Sequence, residues 1–301
     1  MPRVSLCLPD KSSTMLHQSF SHLGRVRYFT FDENPDEHSD FVITFGVIPE
    51  NTLSWWHLIP KSRKIGVLME NPRIYFPSDE YLENHGLIIS PVAKSGIATE
   101  WYLSHSGVPW FYGRDFHTDS GLSHQTIANR KAPDLGFHAE RQPLGKQKRL
   151  SIITSSKTSL IGHKLRFQTA LELSQGNGPF QVDVFGFGHR PIQTKDTGID
   201  PYAYTVVIEN DFIRNYVTEK ICDALLGFSQ PIYIGAPNVQ DYFPSKLIVL
   251  QPDEPSILSK KIIEITDNPP DLNGILINRN SVLYKMNILY HVAEIIHSRI
   301  A

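Results

Sequence analysis

Residues 206–238 read VVIENDFIRNYVTEKICDALLGFSQPIYIGAPN, and this stretch decides how the rest of the chain is understood. Tyr204, Val206 and Ile208 alternate with Thr205 and Val207, a β-branched run that predicts a buried parallel strand ending at Glu209 and Asn210. Ile221, Ala224, Leu225 and Phe228 then recur at i, i+3, i+4 and i+7, the spacing of one helix face. Thr218 stands where a cap is needed, which puts Glu219 and Lys220 in the first turn. Unpaired backbone N–H groups and the positive end of the helix dipole make that turn suited to a diphosphate. Gly227 loosens the helix end, Pro231 opens a second strand, and residues 235–238 make a turn. The unit is βαβ, with its charged groups at the carboxyl end of the first strand, where open α/β sheets bind ligands.

Three blocks of this stretch carry a family pattern. Ile208-Glu209-Asn210-Asp211 is followed by Asn215-Tyr216-Val217-Thr218-Glu219-Lys220, and then by Ala224-Leu225 and Gln230-Pro231-Ile232-Tyr233-Ile234-Gly235. In this order and spacing they resemble the signature of the α-1,3-fucosyltransferase family, glycosyltransferase family ten, whose common form is F-E-N-S/T, D/G-Y-V/I-T-E-K, A-L and V-P-V/I-x-x-G. Two positions depart from it: Asp211 stands where Ser or Thr is usual, and Ile208 replaces Phe.

Composition sets the bounds. A chain of 301 residues is long enough for two ordinary domains. A formal net charge of −2, with dispersed Lys and Arg, does not suggest a nucleic-acid partner. Cys7 and Cys222 form no disulfide framework or metal cluster and agree with a reducing compartment. The opening MPRVSLCLPDKSSTM lacks a signal-peptide apolar run, and no later segment has the roughly 18 apolar residues of a spanning helix. Animal and plant members of the resembling family usually carry an anchor and stem. This chain is similar to a soluble bacterial-type member, expected in the cytoplasm or peripheral to a membrane.

Short β-rich runs at Val4–Leu8, Val26–Phe31, Phe41–Phe45, Ile65–Met69, Leu87–Ile89 and Trp110–Tyr112 alternate with polar stretches, as in an α/β layer fold. Residues 113–148 turn polar without apolar periodicity and read as a connection or a long functional loop. A second α/β run begins at Leu150–Ile153, passes a Ser-rich loop from Thr154 to Ser159, and continues as a helix from Ile161 to Ser174 and a strand from Gln181 to Phe185. The resemblance implies a GT-B architecture, two Rossmann-like α/β domains facing a cleft. Residues 1–145 would form the acceptor-side domain with its polar connection, and residues 146–301 the nucleotide-sugar domain. Val282, Met286, Leu289, Ala293, Ile296 and Ile300 make an apolar stripe that predicts a packed C-terminal helix rather than a membrane-surface one, since Lys285 and Arg299 supply little positive charge.

Transfer from a nucleoside diphosphate sugar needs positive charge on the departing diphosphate and a base at the acceptor hydroxyl. Lys220 in the first helical turn is a candidate cation. The resemblance puts Glu219 on the donor ribose, and Tyr216 and Asn210 in the lining of the nucleotide site. Glu209 closes a buried strand, where an unpaired charge is costly, so a partner is expected. The family places an arginine near the start of the helix after the Ser-rich loop. Aligning Lys164-Leu165-Arg166-Phe167 puts Lys164 on it, with Arg166 two residues away. Lysine cannot grip a diphosphate bidentately, so the distinction matters. Glu70-Asn71-Pro72 closes a strand from Gly66 and resembles the family's E-N/S-x-P element, which assigns Glu70 as general base.

Other features are weaker. Trp55, Trp56 and His57 read either as a sugar-stacking wall or as core. Thirteen His residues contain no compact ligand pattern, and Asp-x-Asp is absent, so no metal ligand is assigned and cationic side chains take the metal's role. Gly186-Phe187-Gly188-His189-Arg190-Pro191 only begins like a dinucleotide fingerprint.

The expected activity is inverting transfer of fucose from GDP-fucose, the donor substrate, to an acceptor glycan hydroxyl, in α-1,3-linkage to a GlcNAc- or Glc-type sugar. No cofactor is expected to be obligate. The alternatives are a relative using another nucleotide sugar and a catalytically silent binder of nucleotide sugars or glycans.

Overall fold

The computed structural model describes residues 1–8, 15–107, 109–114, 116–117, 126–127, 132–176 and 178–300, the two dipeptides by backbone alone. The chain forms two compact units, one of residues 1–109, 134–139 and 283–301, the other of residues 110–133 and 140–282.

The first unit is built on strands β1 (Arg3–Cys7), β2 (Arg25–Val26), β3 (Phe29–Asp32), β4 (Phe41–Thr44), β5 (Lys64–Val67), β6 (Leu87–Ser90) and β7 (Glu100–Leu103). They lie in the order β2-β3-β1-β4-β5-β6-β7, parallel except where β2 meets β3. Successive residues of a strand point to opposite faces, which splits the core in two. Val42 packs with Trp56 and Ile59 beside helix α1 (Leu53–Trp56), and Ile88 packs with Tyr81 and Leu82 of α2 (Asp79–Glu83). Their neighbours Ile43 and Ile89 belong to the core on the other face. The short helix α3 (Leu135–Glu140) returns to this unit, where the Leu135 amide donates to the Ser19 carbonyl.

The second unit holds strands β8 (Phe116–His117) and β9 (Thr126–Ile127), an antiparallel pair, and a parallel sheet. The sheet comprises β10 (Lys148–Ile153), β11 (Asp183–Phe185), β12 (Tyr202–Ile208), β13 (Gln230–Ile234) and β14 (Ile248–Val249), in the order β11-β10-β12-β13-β14. Every residue of β12 is buried, the signature of a strand covered on both faces. Helices α4 (Ile161–Gln175) and α6 (Pro255–Ile265) cover one face through Ala170, Leu173, Leu258 and Ile262. Helix α5 (Glu219–Leu226) packs on β12 and β13, and α7 (Leu272–Tyr284) follows. Strand order reverses between β10 and β12, since β11 lies on one side of β10 and β12 on the other. The crevice at their carboxyl ends is the switch point at which such sheets bind ligands.

Helix α8 (Ile288–Ile300) returns to the first unit. Its Ile288, Leu289, Val292, Ala293 and Ile296 are buried against Val4, Leu6, Ile65 and Val67. The packed C-terminal helix is found, and the compact units differ from a division at residue 145 in that residues 134–139 and 283–301 join the first unit, where α8 packs on an apolar face of the sheet. The stripe also spans two helices, broken between Tyr284 and Ile288, and Ile300 at its end is exposed.

Other strand expectations change in detail. Val26–Phe31 is split into β2 and β3 because Arg27 turns through φ 52°. Trp110–Tyr112 forms no strand: the Phe111 and Tyr112 amides donate to Asp223 Oδ1, both at 2.9 Å, so a carboxylate replaces a strand partner. β5 ends at Val67, three residues before Glu70. In the polar stretch 113–148, residues 115, 118–125 and 128–131 lie outside the described residues, as do residues 9–14 of the opening segment. Among the described residues no helix is long and apolar enough to cross a membrane.

Candidate functional site

The carboxyl end of β12 delivers Glu209 and Asn210 to the switch point of the second unit, between the first turns of α4 and α5. Glu209 is fully buried. Its Oε1 accepts from the Thr218 amide at 2.9 Å and its Oε2 from the Thr218 hydroxyl at 2.7 Å. Lys220 Nζ lies 3.5 Å from Oε2. The expected partner of Glu209 is therefore the N-cap residue of α5 together with a lysine. Thr218 occupies the cap position, but its hydroxyl serves Glu209 rather than the helix amides, which leaves those amides without that side-chain acceptor.

The buried face of α4 explains the second cation. His163, Arg166, Thr169, Ala170 and Leu173 are buried at helical spacing, and the first three are polar. Arg166 Nη1 donates to the Ile208 carbonyl at 2.6 Å and to Asn210 Oδ1 at 3.1 Å, while its Nε has no hydrogen-bond partner among the described residues. Burial pulls its pKa down, and Glu209, Glu219 and Tyr216 act in the opposite sense. A guanidinium stays charged under such conditions. Lys164, the first choice from alignment, lies on the exposed face of the same helix, and Arg166 is the basic residue gathered at Glu209 and Asn210. The signal was the period itself: 166, 170 and 173 share a face that 164 does not.

Gly162 lets the two elements meet. A Cβ built there would lie 2.0 Å from the Glu209 carbonyl oxygen, and the Gly162 amide donates to the Asn210 carbonyl at 3.1 Å. His163 Nδ1 accepts from the Leu160 amide at 3.4 Å and lies 3.0 Å from Ser159 Oγ, which assigns the ring proton to Nε2. Burial, then Arg166 and Lys220, push its pKa down to about 4, so it is neutral at pH 7. Gly186, at φ 111°, backs the Ser-rich loop: its Cβ would meet the Thr154 carbonyl oxygen at 1.9 Å.

At the start of α5, Glu219 Oε1 is flanked by two ammonium groups, Lys220 at 3.4 Å and Lys195 at 3.6 Å. Burial favours the neutral acid, yet Lys220 and Lys195 outweigh it and hold Glu219 down at about 2. Lys195 also pairs with the buried Asp223 at 2.6 Å and sits 5.0 Å over the Phe111 ring. Sequence reading missed Lys195 and Asp223. Neither lies in a charge pattern that a one-dimensional reading detects, and they meet only because the loop before β12 crosses α5. Tyr216 is buried, and Asn215 beside it takes φ 65° and exchanges hydrogen bonds with Asn238. Asp211, the departure from the family pattern, is buried and accepts from the Phe212 amide at 2.8 Å.

Glu70 belongs to the first unit and is exposed, with Oε1 accepting from the Asn71 amide at 2.8 Å. Asn71 is fully buried and its carbonyl receives the Ile74 and Tyr75 amides, so the Glu70 carboxylate rides on a fixed turn. Trp56 is core, Trp55 is partly buried and His57 is exposed, which does not make a wall of the three. Among the described residues no three His, Cys, Asp or Glu side chains gather as metal ligands.

No protein-family model matches the chain. Over 48 residues it is 46% identical to an alpha-(1,4)-fucosyltransferase of Arabidopsis thaliana, a segment that is 16% of this chain and 12% of that protein. Over 97 residues it is 34% identical to GDP-fucose protein O-fucosyltransferase 3 of Xenopus laevis, covering 31% of this chain and 19% of that one. The chain thus spans a minor part of these curated relatives. A crystal structure of an alpha1,3-fucosyltransferase with GDP-fucose gives a TM-score of 0.47 at 17% identity, over 95% of this chain and 83% of the other. The similarity to fucosyltransferases read from residues 206–238 is borne out by the names of the curated relatives.

Proposed function

We propose that the chain is a glycosyltransferase that moves fucose from GDP-fucose to a hydroxyl of an acceptor glycan, with inversion at the anomeric carbon. The observation that carries this reading is that Arg166, from the second turn of α4, and Lys220, from the first turn of α5, meet the adjacent residues Asn210 and Glu209 at the switch point of a parallel sheet, beside an ionised Glu219. The two cations would meet the diphosphate, the α5 amides would add donors, and Glu219 would accept from the ribose hydroxyls. Tyr216 and Asn210 would line the nucleotide site, and Glu209 would fix Lys220 and Thr218. Lys164, on the exposed face of α4, would take no part.

Glu70 is assigned as the base. Its carboxylate takes the proton of the acceptor hydroxyl as that oxygen attacks the anomeric carbon, and the bond from this carbon to the β-phosphate oxygen breaks, releasing GDP. Asp211 is engaged with its own turn, so its charge does not by itself argue for another donor. The α-1,3-linkage to a GlcNAc- or Glc-type sugar follows the family resemblance.

The test is acceptor-dependent release of GDP from GDP-fucose across a panel of glycans. Release that falls by at least about tenfold in Lys220→Ala supports the reading. GDP-fucose binding without release on any acceptor would instead favour the silent binder. A thermal shift produced by UDP or CDP but not by GDP would favour a different nucleotide sugar.

A further inference from the structure

Lys195 lies in the loop between β11 and β12, outside every signature block, yet it is the hub of a buried charge cluster. Its ammonium is 2.6 Å from Asp223 Oδ2 and 3.6 Å from Glu219 Oε1, and its side chain is only 15% exposed. Asp223 is in turn locked from the other side, since its Oδ1 accepts the Phe111 and Tyr112 amides. Lys195 is thus held in place by a group that cannot move without breaking three hydrogen bonds. Lys220 approaches the same Oε1 of Glu219. Both ammonium groups therefore lie nearest one carboxylate oxygen, and among the described residues no side chain donates a hydrogen bond to Oε2.

We infer that Lys195 is a positioning residue for donor recognition: with Asp223 as its anchor, it holds Glu219 Oε1 so that Oε2 is presented to the ribose hydroxyls of the nucleotide. The inference rests on the proposed GDP-sugar site and adds to it the determinant of ribose selectivity. A carboxylate selects hydroxyls only when its lone pairs are fixed in direction and its charge is retained. Lys220 alone cannot do both, because it is shared with Glu209 and Thr218 and would be shared again with a diphosphate. Lys195 has no such competing duty, since its other partner is a buried internal carboxylate.

The experiment measures the dissociation constants of GDP and 2′,3′-dideoxy-GDP for the full chain by calorimetric titration. A hydrogen bond to a charged group contributes about 1.5–3 kcal/mol, so the unaltered protein is expected to prefer GDP by about 10- to 150-fold. In Lys195→Met this preference is expected to fall to within about threefold while the dideoxy nucleotide keeps nearly its original affinity. A residue that merely supports the fold would weaken both nucleotides alike and leave their ratio intact. Lys195→Arg, which keeps the charge, is expected to restore part of the ratio. Should Lys195→Met fail to fold, the double variant Lys195→Met/Asp223→Asn removes both buried charges and is read in the same way. An undiminished ratio in the folded variant overturns the inference and leaves the GDP-sugar reading standing. Absence of GDP binding to the unaltered protein overturns the reading itself.

Discussion

Gly162 shows how little room the switch point leaves. A methyl group there would lie 2.0 Å from a backbone oxygen, which cannot swing aside as a side chain would. Gly162→Ala should lower unfolding stability by about 2–3 kcal/mol in urea titration, through displacement of the start of α4. The contrast between Arg166 and Lys164 is sharper. Arg166→Met leaves the buried Glu209 with one cation fewer and should cost about 3–5 kcal/mol, whereas Lys164→Ala on the exposed face should stay within about 0.5 kcal/mol. Equal losses in the two variants would contradict the placement of Arg166. At this scale the sequence spoke clearly about Glu209, Tyr216, Glu219 and Lys220, because one contiguous segment carries them. It was silent about Lys195 and Asp223, whose pairing spans 28 residues and depends on where a loop crosses a helix.

Among the elements, the fully buried strands were the most legible. β12 is a continuous apolar or β-branched run, the form imposed by covering both faces, and β10 is buried only over Leu150–Ile152. The edge strand β7 was not anticipated, since Glu-Trp-Tyr-Leu shows no apolar/polar alternation and Glu100, Tyr102 and Leu103 are exposed at the sheet edge. Trp110–Tyr112 misled for the opposite reason: it is apolar, but its amides are satisfied by Asp223. The return of α8 to the first sheet was hidden because its stripe shows that the helix packs and not against what. Leu289→Ala, in the middle of that contact, should cost about 2–5 kcal/mol and expose the first unit to proteolysis before the second. Cleavage that begins in the second unit would contradict this assignment.

For the molecule as a whole, buried imidazoles set the response to acid. Burial pushes His85 and His291 down to about 4, and His105 falls well below its usual value through burial and the nearby His291. His105 and His291 stack with centroids 4.1 Å apart. The folded-state pKa of each lies below the unfolded value of 6.5, so for His85 and His291 the unfolded chain binds more protons between pH 6.5 and 4. Stability is full above that window and falls as pH drops through it, by about 3 kcal/mol each for His85 and His291, and His105 acts in the same direction. Glu219 acts in a lower window: its contribution is present above 4.5 and is lost as pH falls towards 2. His291→Phe, which preserves the stacked ring but cannot be protonated, should flatten the fall in Tm between pH 6.5 and 4.5. An unchanged slope would place the titration elsewhere.

Both α/β units were legible as layers, and the donor-side reading depends on a single switch point within one of them. The most direct measurement of that reading is calorimetric titration of the full chain with GDP-fucose, alongside Lys220→Ala and Lys164→Ala. One site per chain, weakened at least about tenfold by Lys220→Ala and unchanged by Lys164→Ala, is the predicted result. No binding, or binding indifferent to Lys220, would contradict it.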